Sequence, residues 1–453
     1  MDFNNTGAMR SPFSPRVRQS IGGRRPIGLS SSENNQSKFM QPVGEQVGDV
    51  IYKTPLITVE THGQPLPVMV TEALTFGSSD VSVRMAPSGW CWVVSGRRVL
   101  VWPGAPPAAG APGAPAAPAR ELTLPQTDLA HKADLVYVFY SDGAQMPGCV
   151  GVSPEGVVRC WGSVGAEGVF QDAACELAGQ ECAQLAAAPG ALLLATTTCT
   201  LVLLTPCCED GRATVRRRTL RAPGGWLGGL GRRVSHLFFG NLPHGDTRLV
   251  GAVALGGSRA APHVALVAGG GAGAGPLLQL WRGEELHEHD LRRAILDSQQ
   301  FAAHGEAGGA ELAAVDVRGA GGDLLLLLAA GAGRHHVAHV SLAEPARPAV
   351  RLLAALRWAE PEPPRLLPLE AHALLYAGSC VALAAPAAAD GERVRPGAAG
   401  DRVLAAEPCG ARALLFTRAH GLALLTVTAA HGNTLQYNRH LNIYENSRRG
   451  VVF

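Results

Sequence analysis

With 453 residues the chain has room for two ordinary domains or one large repeat fold, and its 47% hydrophobic content assigns most of it to a packed interior. The net charge of +2 is unevenly spread, since residues 1–38 carry six basic side chains against Asp2 and Glu33 and leave the remainder slightly acidic. A near-neutral body excludes a broad nucleic-acid footprint, and the opening Met1–Arg10 has no apolar core of a secretory signal, so the ten cysteines are expected as thiols in a reducing compartment.

Residues 1–45 are rich in Ser, Asn, Arg, Gly and Pro and cannot bury enough surface to order themselves, so they read as a disordered basic tail. Its Ser11-Pro12 and Ser14-Pro15 pairs, followed by Arg16 and Arg18, are candidate phosphorylation sites for proline-directed kinases, although such dipeptides are common in tails of this composition. From about Asp49 the pattern turns to short β-rich runs.

Paired apolar runs joined by short polar or glycine-containing turns then recur. They occupy Trp90–Trp102, Cys149–Trp161, Ala191–Leu204, His263–Trp281, Asp323–Leu342, His372–Ala384 and Ala413–Val427. Three close alike, with VLVW at Val99–Trp102, VRCW at Val158–Trp161 and LQLW at Leu278–Trp281. Seven hairpins at this spacing predict an all-β, seven-bladed β-propeller over residues 46–430. A pair of β-sandwiches would use the same hairpins, but a closed ring of one repeated unit hides its strand edges. Pro103–Arg120 reads as an Ala/Pro/Gly linker between the first two hairpins. Cys182–Cys208 runs 27 residues without a charge, longer than the roughly 20 of a membrane-spanning helix. Pro189-Gly190 and the threonines at 196, 197, 198 and 200 make it a hairpin of two strands instead. Asp290 has the position of an N-cap for a short helix over the sequence LRRAIL. The tail 431–453 loses the Ala/Leu bias and belongs to no unit of the repeat.

One stretch has a different character: Arg221–Leu242, RAPGGWLGGLGRRVSHLFFGNL. Leu227, Leu230, Val234, Leu237 and Phe238 follow at three- and four-residue steps, with Trp226 and Phe239 beside them, which is an apolar face of helical period. The opposite face is glycine, Ser235, His236, Arg232 and Arg233, and no Asp or Glu occurs between Asp210 and Asp246. The five glycines from Gly224 to Gly231 cost such a helix roughly 4–5 kcal/mol relative to alanine. It should not form alone in water. On a lipid surface, large side chains each worth about 1.5–3 kcal/mol when buried outweigh that cost. The same residues also fit a surface helix or glycine-rich loop tucked against a blade, or a patch that meets a protein partner.

No catalytic, metal or cofactor site is expected. His287, His289, His335, His336 and His339 are the nearest approach to a metal cluster, with His335 and His339 sharing one strand face and His336 on the other, and no second ligand pair accompanies them. Cys207-Cys208 and the Cys175/Cys182 pair lack C-x-x-C spacing. Gly269–Gly275 precedes a strand rather than a helix and so is a turn, not a phosphate loop. An enzyme built around a propeller channel would need converging acids or histidines, which the sequence does not locate.

The run Gly225–Gly240, together with Gly89–Trp102, Ala133–Tyr140, His289–Ile295 and Ala413–Thr426, resembles the N-terminal half of the nucleoporin 133 family, with Gly229–Phe238 (GLGRRVSHLF) the most specific part. The resemblance covers about Pro42–Ala430. It implies a seven-bladed propeller in a structural scaffold of the nuclear pore, within the Y-shaped coat complex, at the nuclear envelope and, in mitosis, the kinetochore. It also implies a role in nucleocytoplasmic transport of protein and mRNA, other Y-complex nucleoporins as partners, and no small-molecule substrate or specific nucleic acid. The loop after the third blade is then a curvature-sensing amphipathic helix in peripheral contact with curved membrane through Trp226, Leu227, Leu230, Arg232, Arg233, Val234, Leu237, Phe238 and Phe239. The family's helical C-terminal domain, which docks nucleoporin 107, has no counterpart in this sequence, so that contact is not among the expectations.

Overall fold

The computed structural model describes residues 49–428 except 63–64, 78–80, 105–117, 141–144, 210–211, 221–247, 270–274, 299–311, 332, 371, 385–391 and 398–399. The basic tail with Ser11 and Ser14, most of the Ala/Pro/Gly linker and the tail beyond 428 therefore lie outside the described residues.

The described residues form seven separate antiparallel sheets, each a blade of a propeller. Blade 1 runs from the channel outward as Ser82–Met85, Trp90–Ser95, Arg98–Pro103 and Arg120–Thr123. Blades 2 to 6 repeat this four-stranded meander, with innermost strands Val136–Phe139, Cys182–Ala188, Arg248–Gly257, Leu312–Ala320 and Arg365–Pro368. Blade 7 departs from it. Its three inner strands are Val403–Cys409, Arg412–Thr417 and Gly421–Val427, and the outer two come from the other end of the chain, Ile57–Thr61 and then Val50–Lys53. Ile57 pairs with Val427 and Val59 with Leu425, so the ring is closed by an N-terminal strand in antiparallel register.

The seven expected hairpins are the two middle strands of the seven blades. Cys182–Cys208 forms no helix, and it holds three strands rather than two, Cys182–Ala188, Ala191–Thr196 and the start of Leu201–Glu209. The extra strand was hidden because Pro189-Gly190 is itself a tight turn, with Gly190 at φ 64° where a β-carbon would be strained. Among the described residues no helix is long and apolar enough to span a bilayer.

The core is partitioned by the ring. Seven apolar clusters lie one at each junction between neighbouring blades. In Asp323–Ala330 of blade 5, Leu324, Leu326 and Leu328 face blade 4 while Leu325 and Leu327 face blade 6, and all five are inaccessible to solvent. Side chains on a strand alternate between faces, and a middle strand here is covered on both, so its sequence reads as a continuous apolar run instead of an alternating one. The paired sandwiches are thereby replaced by a closed ring. Among the described residues, two α-helices decorate it. α1, Val68–Phe76, inserts Val70 and Leu74 into the junction of blades 7 and 1, and Arg418 donates to its Leu74 carbonyl at 3.0 and 3.2 Å. α2, Leu291–Leu296, starts at the expected N-cap, with Asp290 Oδ1 accepting from the Arg292 amide at 2.8 Å.

Candidate functional sites in the channel and on the rim of blade 3

Innermost strands border the central channel and carry polar residues there. Arg84, Asp134, Asp316, Arg318, Arg365 and Glu407 surround a cavity of about 460 Å³. The acids that sequence reading could not bring together do converge here, and hydrogen bonds show what the two aspartates do. Arg84 Nη1 lies 3.3 Å from Asp134 Oδ1, joining blade 1 to the entry of blade 2. Asp316 holds Arg318 Nε at 3.2 Å and also accepts the Leu366 amide at 2.8 Å, joining blade 5 to blade 6. Burial works against the Arg318 charge, but Asp316, Tyr376 and Glu407 together hold its pKa above the usual guanidinium value. These aspartates are staples between blades rather than a nucleophile with its base.

Burial pushes the Glu407 carboxyl above the ordinary carboxylate range, against the opposing pull of Arg318 and Arg84. The folded protein therefore binds this proton more tightly than the unfolded chain, and stability falls as pH rises from the ordinary carboxylate range through the raised pKa. Replacing Glu407 by Gln is expected to remove that loss. Urea unfolding of E407Q and its parent at acidic and neutral pH should show a stability difference that grows in favour of the variant as pH rises; a difference independent of pH would contradict the assignment.

The histidines are used locally. His289 Nε2 donates to the Pro345 carbonyl at 2.7 Å, His335 Nδ1 lies 3.3 Å from the Gly333 carbonyl, and His339 Nε2 lies 3.0 Å from Asp323 Oδ2. His336 is buried on the face opposite to His335 and His339. Among the described residues no set of three potential ligands converges on a metal position. None of the ten cysteines forms a disulfide, and burial pushes the thiols of Cys91, Cys160 and Cys182 up to about 12, which makes these three poor nucleophiles.

On the outer rim, blade 3 ends in the strand Arg212–Thr219 (RATVRRRT). Val215 turns inward to the junction of blades 2 and 3, while Arg212, Arg216, Arg217 and Arg218 are exposed. Arg218 Nη2 donates to the Ala260 carbonyl on the neighbouring turn of blade 4 at 2.8 Å. The chain re-enters at Arg248 as the innermost strand of blade 4. The candidate membrane residues Trp226, Leu227, Leu230, Arg232, Arg233, Val234, Leu237, Phe238 and Phe239 all fall between these two anchors, and outside the described residues. The rim arginines were not singled out from sequence, although three of them are consecutive in a run without acids.

The profile of a family described as Nup133 N-terminal-like matches residues 53–259, which run from the closing strands through blade 3 into blade 4. The chain is similar to the nuclear pore complex protein Nup133 of Drosophila melanogaster, 40% identical over 198 residues, a match covering 40% of this chain and 16% of that protein. It is similar to the Danio rerio protein of the same name, 32% identical over 187 residues with coverage of 40% and 16%. Its matched region thus spans about a sixth of these relatives' length. The crystal structure of the Nup133 β-propeller domain of Vanderwaltozyma polyspora superposes with a TM-score of 0.57 at 10% identity, covering 84% of this chain and all of that one, and it supports the fold alone. Over residues 53–259, the chain is similar to the Nup133 N-terminal-like family.

Proposed function

We propose that the chain is a non-enzymatic scaffold propeller of the nuclear pore, which attaches its assembly to the curved nuclear envelope through the insertion at residues 221–242 and thereby supports nucleocytoplasmic transport. Residues 46–430 are the propeller unit, residues 1–45 and 431–453 flank it, and other nucleoporins of the Y-shaped coat are its partners. What carries the reading is the similarity to Nup133 across blades 1 to 3, combined with a helical apolar period placed between the outer strand of blade 3 and the inner strand of blade 4. The insertion begins one residue after the outermost strand of blade 3, Leu220 intervening. Its glycines weaken folding in water, and few charges on its polar face hold it to lipid, so binding depends on packing defects of curved bilayers.

Flotation of the full chain with neutral vesicles of graded radius is expected to show binding to small vesicles and little to large ones. Leu230→Asp should weaken binding to small vesicles about 10- to 100-fold, the loss of one buried leucine at about 1.5–3 kcal/mol. Equal binding at all radii, or none, would reject the curvature reading. Intact lipid binding of the variant with loss of a co-purifying protein would assign the patch to a protein partner.

A further inference from the structure

We propose that the outer strand of blade 3, Arg212–Thr219, is a docking edge for anionic phospholipid that lays the rim of the propeller against a negatively charged bilayer. The proposal takes its orientation from membrane attachment of the adjoining insertion, but it stands on different residues and a different force. The strand is the outermost of its sheet, so one of its sides has no strand of its own blade beside it. Arg216, Arg217 and Arg218 are exposed on the outer strand, Arg218 also donating to the Ala260 carbonyl of blade 4.

The surrounding sequence extends the same sign. From Gly211 to Gly245 there are seven arginines and not one Asp or Glu, whereas the chain as a whole carries 39 basic against 37 acidic residues. Guanidinium groups pair with phosphate oxygens through two parallel hydrogen bonds. A basic residue near an anionic leaflet strengthens attachment about fivefold, and only within a screening length of about 8 Å at physiological salt. Arg216–Arg218 end two residues before the insertion, Thr219 and Leu220 intervening, so a bilayer that holds the insertion lies beside them. A single-stranded nucleic acid would also offer phosphates, but such sites interleave aromatic side chains for base stacking, and the strand RATVRRRT has none.

The test uses the full chain, large vesicles of phosphatidylcholine with phosphatidylserine, and small vesicles of phosphatidylcholine alone. The triple variant R216S/R217S/R218S is expected to bind the phosphatidylserine vesicles roughly 100-fold more weakly while keeping its binding to small neutral ones. L230D should show the complementary loss on small neutral vesicles, so failure of the insertion reading is seen separately. R216K/R217K/R218K, which keeps charge and packing, should retain most of the anionic binding, and raising salt should weaken binding of the unmodified chain. An unchanged affinity of the serine variant for phosphatidylserine vesicles, or indifference of the unmodified chain to salt, would overturn the proposal. Tighter, arginine-dependent binding to an unstructured RNA oligomer than to these vesicles would reassign the edge to nucleic acid and overturn it equally.

Discussion

Replacing Ile57 by aspartate is expected to open the ring and abolish cooperative folding of the propeller. Ile57 begins the N-terminal strand that completes blade 7, pairs with Val427, and is fully buried with Leu374, Leu383 and Leu415 in the cluster between blades 6 and 7. Deleting an isoleucine side chain from such a site costs about 2–5 kcal/mol. An unpaired carboxylate in its place adds several more, or protonates at a similar cost. The sum approaches the roughly 5–15 kcal/mol that a whole protein has to lose. The closing strand comes from the opposite end of the chain, so its loss removes a contact that no local structure can replace. Urea unfolding should show a large fall in midpoint or loss of the single transition, while Ile57→Val, a change worth about 0.5–1.5 kcal/mol, leaves the transition intact. An unchanged midpoint for I57D would mean that blade 7 stands without its N-terminal strand.

Trp92→Ala should come close to this in effect by a different route. The indole is 1% exposed, donates from Nε1 to the Ala133 carbonyl at 3.0 Å, and meets the ring of Tyr137 edge-on at 6.1 Å. It therefore fastens blade 1 to blade 2 through packing and a hydrogen bond together. Losing the ring costs about 3–5 kcal/mol, and a buried carbonyl left without its donor about 1–3 more. Trp92→Phe separates the two, because it keeps most of the ring and loses only the donor. The urea midpoint should fall in the order parent, W92F, W92A; equal midpoints for the two variants would show that the hydrogen bond, not the packing, holds the junction.

Much of the fold was legible because of how a propeller buries its strands. The pair Trp90–Ser95 and Arg98–Pro103, like its six counterparts, lies between two neighbouring blades and is apolar on both faces, which makes it visible as an unbroken apolar run. The innermost strands were missed for the converse reason. Val315–Arg318 sets Asp316 and Arg318 among its valines where the strand borders the channel, and so short a stretch has no distinctive sign in a sequence. The outermost strand of blade 3 failed differently: its arginines looked like ordinary solvated charge until the strand order placed them together on a rim.

What the sequence by itself determined was the repeat, the number of blades, the N-cap at Asp290, and an acid-free insertion with a helical apolar period between the third and fourth units. These are properties of neighbouring residues, and burial and helix geometry write them locally. Only the tertiary structure decided that Ile57 pairs with Val427, that Asp316 and Arg318 look across a channel to Glu407, and that Arg216–Arg218 stand at the edge from which the insertion departs. Those juxtapositions depend on the closure of the ring, which brings together residues from distant parts of the chain, and no local preference records which residues will meet.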